Sequence, residues 1–367
     1  MFEKVNQARS ERIQQSQKKR KWWVYALVFV LVMAVSITGY AYYNLSKGYD
    51  ADTRDGQKDI DMKSEPFTIL FIGVDQYSSK EEKSRGIRTD VLMLAAVNPK
   101  TKSIKLVSIP RDTYVSIPNT DGHKDKINSA SFWAQRKDLN PMKNSKEAVQ
   151  NLLGINVDYY AKINFIGFSK LVDAVGGVDV EVPFDFKIET FGNKTIKFKK
   201  GPMHLTGTEA LPYVRMRYDD PQNDAGRNAR QQDVVSKVVD KLTDPTNITK
   251  IPQILKIVGD NISYDIPVSD FVTLANTWKD IPRQNMETIQ WDKQRGLLED
   301  YISLNGVSRN FVYKLTEKER TRVSNLLKQQ LEIPIDEPTE DSEGSSSSDE
   351  EESSSKNSSS SKSSSES

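Results

Sequence analysis

Residues 158–182 read D-Y-Y-A-K-I-N-F-I-G-F-S-K-L-V-D-A-V-G-G-V-D-V-E-V, and the apolar period changes twice along them. Asp158 to Ile163 has strand length and strand residue types. Phe165 to Val175 repeats at helical spacing, Gly176-Gly177 closes it, and Val178 to Val182 returns to a strand. Strand, helix, strand over this distance is a βαβ unit, which predicts a sheet that is at least partly parallel. Upstream, Phe67 to Gly73, Val91 to Val97 and Ile104 to Ile109 are near-continuous apolar runs, the pattern of strands covered on both faces. The expected fold class is therefore α/β, with a mixed, partly parallel central sheet flanked by helices on both faces.

Asn144 with Glu147 three residues on has the capping-box pattern of a helix that stops at Gly154. Phe184 to Lys200, with Gly192-Asn193 between two alternating segments, reads as a hairpin. Helical patterns follow at Thr208 to Arg215, Gly226 to Leu242, Ile251 to Val258 and Ser269 to Trp278. A last helix is expected from Thr316, capped by its own hydroxyl with Glu319, to about Leu331.

The ends of the 367-residue chain have a different character. Residues 1–21 are basic, with Lys4, Arg9, Arg12, Lys18, Lys19, Arg20 and Lys21 against Glu3 and Glu11. Residues 22–43 hold no charge and carry Trp22, Trp23 and Tyr25 at one end and Tyr40, Tyr42 and Tyr43 at the other. As a helix this stretch is about 33 Å long, enough for a hydrocarbon core of about 30 Å. It is expected to span a membrane as an uncleaved anchor, with the basic flank inside and everything after Tyr43 outside. Residues 44–65 are polar and aperiodic and read as a stalk, and 66–335 form the exported domain. From Asp336 the chain is Ser, Asp and Glu with almost no apolar residue, a composition that predicts disorder over 336–367.

Two histidines and no cysteine exclude a thiol nucleophile and a structural zinc cluster. G-x-S-x-G, H-E-x-x-H and G-x-x-x-x-G-K-[ST] are absent. The net charge of +1 says nothing about partners, but the arginines are concentrated. Tyr213 to Gln232 sets Arg215, Arg217, Arg227 and Arg230 around a Pro/Asn/Asp/Gly turn. Guanidinium forks pair bidentately with phosphate oxygens, so the stretch suits a diphosphate; it equally suits salt bridges to Asp219, Asp220 and Asp224. Asp75 follows the first strand, Arg88 and Asp90 precede the second, and Arg111 follows the third. If those strand ends converge, two carboxylates and several arginines share one cleft, an arrangement for metal-assisted chemistry on a diphosphate. Asp75 and Asp90 would then hold Mg²⁺, which keeps waters and phosphate oxygens as its other partners. Alternatively, Asp90 caps a turn and Arg111 pairs with Asp112.

Several ordered motifs resemble one family. F-I-G-V-D (71–75), R-T-D-V-L-M-L (88–94), S-I-P-R-D-T-Y-V (108–115), K-I-N-S-A (126–130), Y-A-K-I-N-F-I-G-F (160–168), D-A-V-G-G-V-D-V (173–180), L-T-G-T-E-A-L-P-Y-V-R-M-R-Y-D-D (205–220) and G-R-N-A-R-Q-Q (226–232) are similar to those of the LytR-CpsA-Psr (LCP) family. The resemblance covers about 67–242 and departs from the pattern in the charged segment Ser78 to Ile87. It implies a phosphotransferase at the outer face of a Gram-positive cell membrane. Such an enzyme moves a phosphoglycan, of wall teichoic acid or capsule type, from an undecaprenyl-diphosphate carrier to peptidoglycan, with Mg²⁺ or Mn²⁺. The acceptor expected is the 6-hydroxyl of muramic acid.

The resemblance makes Asp75 and Asp90 the metal ligands. It sets Arg88, Arg111, Lys126, Arg215, Arg217, Arg227, Arg230 and Gln231 on the diphosphate, with Arg111, Asp90 and Asp75 catalytic and either aspartate as base. A lipid tail needs an apolar channel, for which Phe165, Ile166, Phe168, Leu171, Val172, Val234, Val235 and Val238 are candidates that fit an ordinary core equally well. The rival readings are a wall module that binds anionic polymer without turnover and a membrane-bound transcriptional attenuator. Against the latter, 21 cytoplasmic residues are too few for a helix-turn-helix, and no nucleic acid is expected as a partner.

Overall fold

A computed structural model describes residues 43, 46–54, 56–76, 86–190, 194–217, 219–222, 224–248, 250–294, 296–304 and 306–335. The expected membrane span (Tyr43 excepted), the basic segment before it, most of the charged segment 78–87 and the acidic tail lie outside these residues. Among the described residues no helix is long and apolar enough to cross a membrane.

Three of the central strands are the apolar runs of the sequence: β1 (Phe67–Val74), β2 (Thr89–Asn98) and β3 (Ser103–Ile109). A small ribbon follows, β4 (Tyr114–Ser116) with β5 (Lys124–Lys126), and then helices α1 (Ala130–Arg136) and α2 (Pro141–Leu153). Next come β6 (Tyr159–Asn164), α3 (Phe165–Ala174), β7 (Val178–Val182), β8 (Phe186–Thr190), β9 (Lys194–Phe198) and β10 (Gly201–Leu205). Helices α4 (Gly207–Arg215), α5 (Asp224–Thr243), α6 (Pro245–Ile248) and α7 (Ile251–Val258) precede β11 (Ile262–Tyr264) and α8 (Phe271–Lys279). The described chain closes with β12 (Met286–Ile289), the hairpin β13 (Leu297–Leu304) and β14 (Val307–Leu315), and α9 (Glu317–Gln330).

The central sheet runs β11-β6-β1-β2-β3-β12. β2 is antiparallel to β1 and β3, whereas β6 is parallel to β1 and β12 is parallel to β3. The sheet is thus mixed and partly parallel, as expected, but not through the unit that predicted it. β6, α3 and β7 all form, yet β7 leaves the sheet and pairs antiparallel with β10 in a separate ribbon. V-D-V-E-V carries the reason: its burial alternates, with Asp179 and Glu181 exposed. A strand inside a doubly covered sheet must be apolar on both faces, and this one is apolar on a single face. Val178, Val180 and Val182 instead join Phe186, Phe198, Leu205 and Tyr213 in a second core under α3, α4 and α5.

Alternate residues of the central strands feed two further cores. Leu70, Ile72, Leu92, Leu94 and Val107 pack against Met142, Val149, Leu153, Val323 and Leu327 of α2 and α9. Phe67, Ile69, Ala95 and Ile104 pack on the other face with Val239 of α5 and Leu274 and Trp278 of α8. Each fully buried Leu, Ile or Phe contributes roughly 1.5–3 kcal/mol, which makes this sheet the stable floor of the domain.

Two local expectations change. The cap of α2 is Asn140, whose side chain accepts from the backbone N–H groups of Met142 and Lys143 ahead of Pro141. Asn144 lies inside the helix and is buried, donating to the Ala130 carbonyl at 2.7 Å, so the capping-box pattern was a coincidence of spacing. Gly154 ends α2 in the left-handed region as expected.

The second change concerns the expected stalk, whose described residues lie along the domain. Tyr49 bridges Tyr264 on the edge strand β11, Asp50 N–H donates to the Tyr264 carbonyl at 2.8 Å, and Thr53 and Met62 are buried. Covering an edge strand satisfies its ladder groups, a use of polar backbone that hydropathy does not reveal.

Candidate functional site

Because β2 is antiparallel to both neighbours, the end of β1, the start of β2 and the end of β3 meet at one sheet edge. The chain turns out of β1 at Asp75 and out of β3 at Pro110 and Arg111. At the start of β2 the register slips: Gly73 pairs with Val91 but Val74 with Thr89, leaving Asp90 as an extra residue. Such a bulge releases a side chain from ladder alternation and re-aims it, here to the same end of the sheet as Asp75, whose carboxyl feels the Asp90 charge.

Asp75, Gln76, Gly86, Arg88, Asp90, Arg111, Asp112, Lys126 and Asn128 wall a cleft of about 430 Å³. Arg111 is its hub. Its Nη1 lies 2.9 Å from Asp90 Oδ1 and its Nε 3.3 Å from Asp112 Oδ2, and Lys126 Nζ lies 2.7 Å from Asp112 Oδ1. Burial opposes the charge on Arg111, but Asp90 and Asp112 outweigh it and hold the guanidinium above its ordinary range. Partial burial, then the neighbouring Asp90 carboxylate, push the Asp75 carboxyl above its ordinary range, with Arg215 and Arg111 pulling back.

Arg215 ends α4 and brings the arginine-rich stretch to this edge. Its Nη2 stands 3.8 Å from Asp75 Oδ1, and its guanidinium lies 4.2 Å from the ring centroid of Phe165 at the start of α3. Arg88 has a similar aromatic support, 5.4 Å from the Phe132 centroid. Both guanidiniums therefore rest on rings while their forks remain available.

The donor set fits a hard divalent cation. Asp75 and Asp90 are neighbouring carboxylates of like charge, an arrangement that a cation between them relieves. Beside them, Gln76 Oε1 and Asn128 Oδ1 are buried amide oxygens with no hydrogen-bond partner among the described residues. Among the described residues there is no group of three or more His, Cys, Asp or Glu that could hold a metal ion, so an ion here would have few protein ligands and keep its own waters.

Asp75, Arg88, Asp90, Arg111 and Lys126 are thus brought together, and Arg215 joins through Asp75. The alternative pairing of Arg111 with Asp112 is also real: one guanidinium serves both carboxylates. Arg217 and Arg227 sit just after α4 and in the first turn of α5, outside the set that walls the cleft. Arg230 does not belong with them. Only 4% exposed, it donates to the Tyr213 carbonyl at 3.1 Å, to the Met216 carbonyl and to Asp220, and so pins the loop rather than a ligand. Gly226 permits this, since a Cβ there would lie 2.0 Å from Asp220 Oδ2. Gln231 donates to the Val214 carbonyl at 3.2 Å, tying α5 to α4. Sequence reasoning did not single out Gln76, Asn128 or Phe132 for the site; Asn128 lay within K-I-N-S-A, the one signal available.

An apolar cavity of about 180 Å³ lies beneath the sheet, lined from β1, β6, α3, α5, α7, β11 and α8. Of the channel residues expected from sequence only Leu171 reaches it; Val172, Val234 and Val238 belong to the second core. The cavity walls are Phe71, Val239, Leu242, Ile254, Leu274 and Trp278 among others, residues that read as core because they face inward from a central strand and from amphipathic helices.

Residues 33–329 match the model of the LytR_cpsA_psr family. The polyisoprenyl-teichoic acid–peptidoglycan teichoic acid transferase TagV of Bacillus subtilis (strain 168) is 36% identical over 283 residues, covering 74% of this chain and 70% of that protein. A crystal structure of B. subtilis TagV is similar with a TM-score of 0.61 at 32% identity, over 74% of this chain and 99% of that one. A structure described as TagT bound to LI-WTA is similar with a TM-score of 0.58 at 26% identity, over 76% and 95% of the two chains. With the family pattern matched over most of its length, this chain belongs to the LytR_cpsA_psr family.

Proposed function

We propose that this protein transfers a phosphoglycan of teichoic acid or capsule type from an undecaprenyl-diphosphate carrier to the muramic acid 6-hydroxyl of peptidoglycan. The relatives' names support the reaction class. The observation that carries it here is the Asp75–Asp90 pair beside Arg111 and Arg215, at the edge of a sheet with an apolar cavity beneath it. The diphosphate would lie across Arg88, Arg111, Lys126 and Arg215, and the first isoprene units would enter the cavity past Phe71 and Leu171. Arg217 and Arg227 would engage the far side of the diphosphate.

Asp75 and Asp90 would hold a Mg²⁺ or Mn²⁺ ion, which when bound supplies charge neutralisation on the phosphate oxygens. Arg111 is fixed on two sides by Asp90 and Asp112, so its remaining N–H groups meet developing phosphate charge without reorganising. Asp90 is committed to Arg111, whereas Asp75 has its arginine 3.8 Å away, so Asp75 is the carboxylate suited to accept the hydroxyl proton. The reaction would proceed in line, with polyprenyl phosphate leaving. Residues 22–43 would keep the domain at the outer face of the membrane, where the lipid carrier remains, with residues 1–21 in the cytoplasm.

The test uses the full chain in detergent with a short lipid-linked diphosphate glycan and a glycan acceptor. Wild type is expected to release polyprenyl phosphate, and Arg111→Ala to do so at least about 100-fold more slowly. Equal rates would overturn the reading in favour of a non-catalytic polymer-binding module. Alkaline-phosphatase fusions after residue 60 check the topology, and an inactive fusion would place the domain inside.

A further inference from the structure

The β13–β14 hairpin has a feature that folding does not require. Alternation sets Leu297, Glu299 and Tyr301 on one face with Phe311, Tyr313 and Leu315 opposite them. At its root the face is core: Leu297 and Tyr313 are buried. Outward it becomes an aromatic ladder, Tyr313 to Phe311 at 4.9 Å and Phe311 to Tyr301 at 5.6 Å, both edge-on, with Arg309 5.3 Å from the Tyr301 centroid. Tyr301 ends the ladder 58% exposed.

The root is attached to the cleft. Tyr313 N–H donates to the Asp112 carbonyl at 2.9 Å, and Tyr313 bridges Thr113, beside the Asp112 carboxylate that holds Arg111 and Lys126. Two residues along a strand are about 7 Å, so the exposed rings begin within sugar-sized reach of the cleft wall. The side is also right. The apolar cavity lies under β1, β6 and β11, whereas the hairpin is attached at Asp112 and Thr113, just after β3, and packs on β4. An in-line displacement at phosphorus brings the nucleophile from the side opposite the leaving oxygen, so a lipid on the β6 side puts the acceptor on the β3 side.

We propose that this hairpin face is the acceptor platform, on which a peptidoglycan glycan strand lies with its reacting hydroxyl directed into the cleft. Pyranose rings present C–H faces that pack on the electron-rich face of an aromatic ring. Tyr301 takes a sugar ring, Arg309 meets a lactyl or stem-peptide carboxylate, and Glu299 accepts from sugar hydroxyls. The assignment rests on the transferase reading for its substrate, but the binding can be measured without turnover.

The experiment measures binding of the full chain in detergent to soluble N-acetylglucosamine–N-acetylmuramic acid oligosaccharides. Tyr301→Ala is expected to weaken binding about three- to tenfold, Tyr301→Phe to restore most of it, and Arg309→Ala to weaken it only for oligosaccharides that carry the carboxylate. Leu298→Ala, on the opposite hairpin face, serves as control and is expected to bind as wild type. Equal binding by wild type and Tyr301→Ala would overturn the platform whatever the transfer assay shows. Loss of binding in a protein that releases no polyprenyl phosphate would keep the platform and overturn the transferase reading instead.

Discussion

The domain contains two clusters of opposite charges built from the same residue types, and they differ in how far each is satisfied. Lys146 and Asp265 form an ion pair at 2.7 Å with 3% and 0% of their side chains exposed. Asp265 also accepts from Thr53 and from the Tyr160 N–H, and Lys146 also donates to the Asp158 carbonyl, so few lone pairs or protons there lack a partner. At the sheet edge Arg111 and Asp90 pair at a similar distance but are 34% and 21% exposed, Asp75 and Asp90 are neighbouring acids of like charge, and two amide oxygens lack partners among the described residues. A saturated cluster fixes conformation, whereas an unsaturated one has capacity left for a ligand. Arg230 with Asp220 belongs to the first kind although it lies in the same stretch as Arg215, which belongs to the second.

Breaking the saturated cluster should have the largest effect. Lys146→Ala leaves a buried carboxylate alone and is expected to cost about 3–5 kcal/mol in denaturant unfolding. Lys146→Met with Asp265→Asn should recover part of that loss, and a wild-type-like midpoint in the single variant would erase the distinction. Arg111→Ala is expected to do the reverse, slowing polyprenyl phosphate release about 100- to 1,000-fold while the thermal midpoint stays near wild type.

A smaller effect is expected from Phe165→Leu, which removes the ring beneath Arg215 and should raise the KM for lipid-linked donor about two- to fivefold at unchanged kcat. The smallest concerns Asp75 itself. Its carboxyl is raised in the fold, so its anion is disfavoured there and the cost is present at neutral pH, disappearing as pH falls through the carboxylate range. In chelator at pH 7 Asp75→Asn is therefore expected to have a higher Tm than wild type, with the difference shrinking on acidification. A lower Tm at pH 7 would show that its contact with Arg215 outweighs the repulsion by Asp90.

Much of the fold was legible. β1, β2 and β3 follow apolar runs, α7 matches Ile251–Val258, and α9 starts at Thr316, whose hydroxyl accepts from the Glu319 N–H at 3.3 Å. The βαβ expectation does not hold at β7, because V-D-V-E-V alternates and is apolar on one face only. The cap of α2 was misplaced by four residues because Asn140-Pro141 is as good a start as Asn144 with Glu147. In the site, Asp75, Asp90 and Arg111 were legible as polar residues at the ends of apolar strands. The bulge that re-aims Asp90 was not, since register depends on the partner strand.

The sequence by itself determined which segments become strands and helices and which side chains stand at their ends, because periodicity, caps and turns act within a few residues. Only the tertiary structure decided that Arg215 faces Asp75 while Arg230 is consumed by Asp220, that β7 leaves the sheet, and that a hairpin some 200 residues away abuts Asp112. Whether a charged side chain serves the fold or a ligand depends on which distant groups already satisfy it, and only packing brings those groups together.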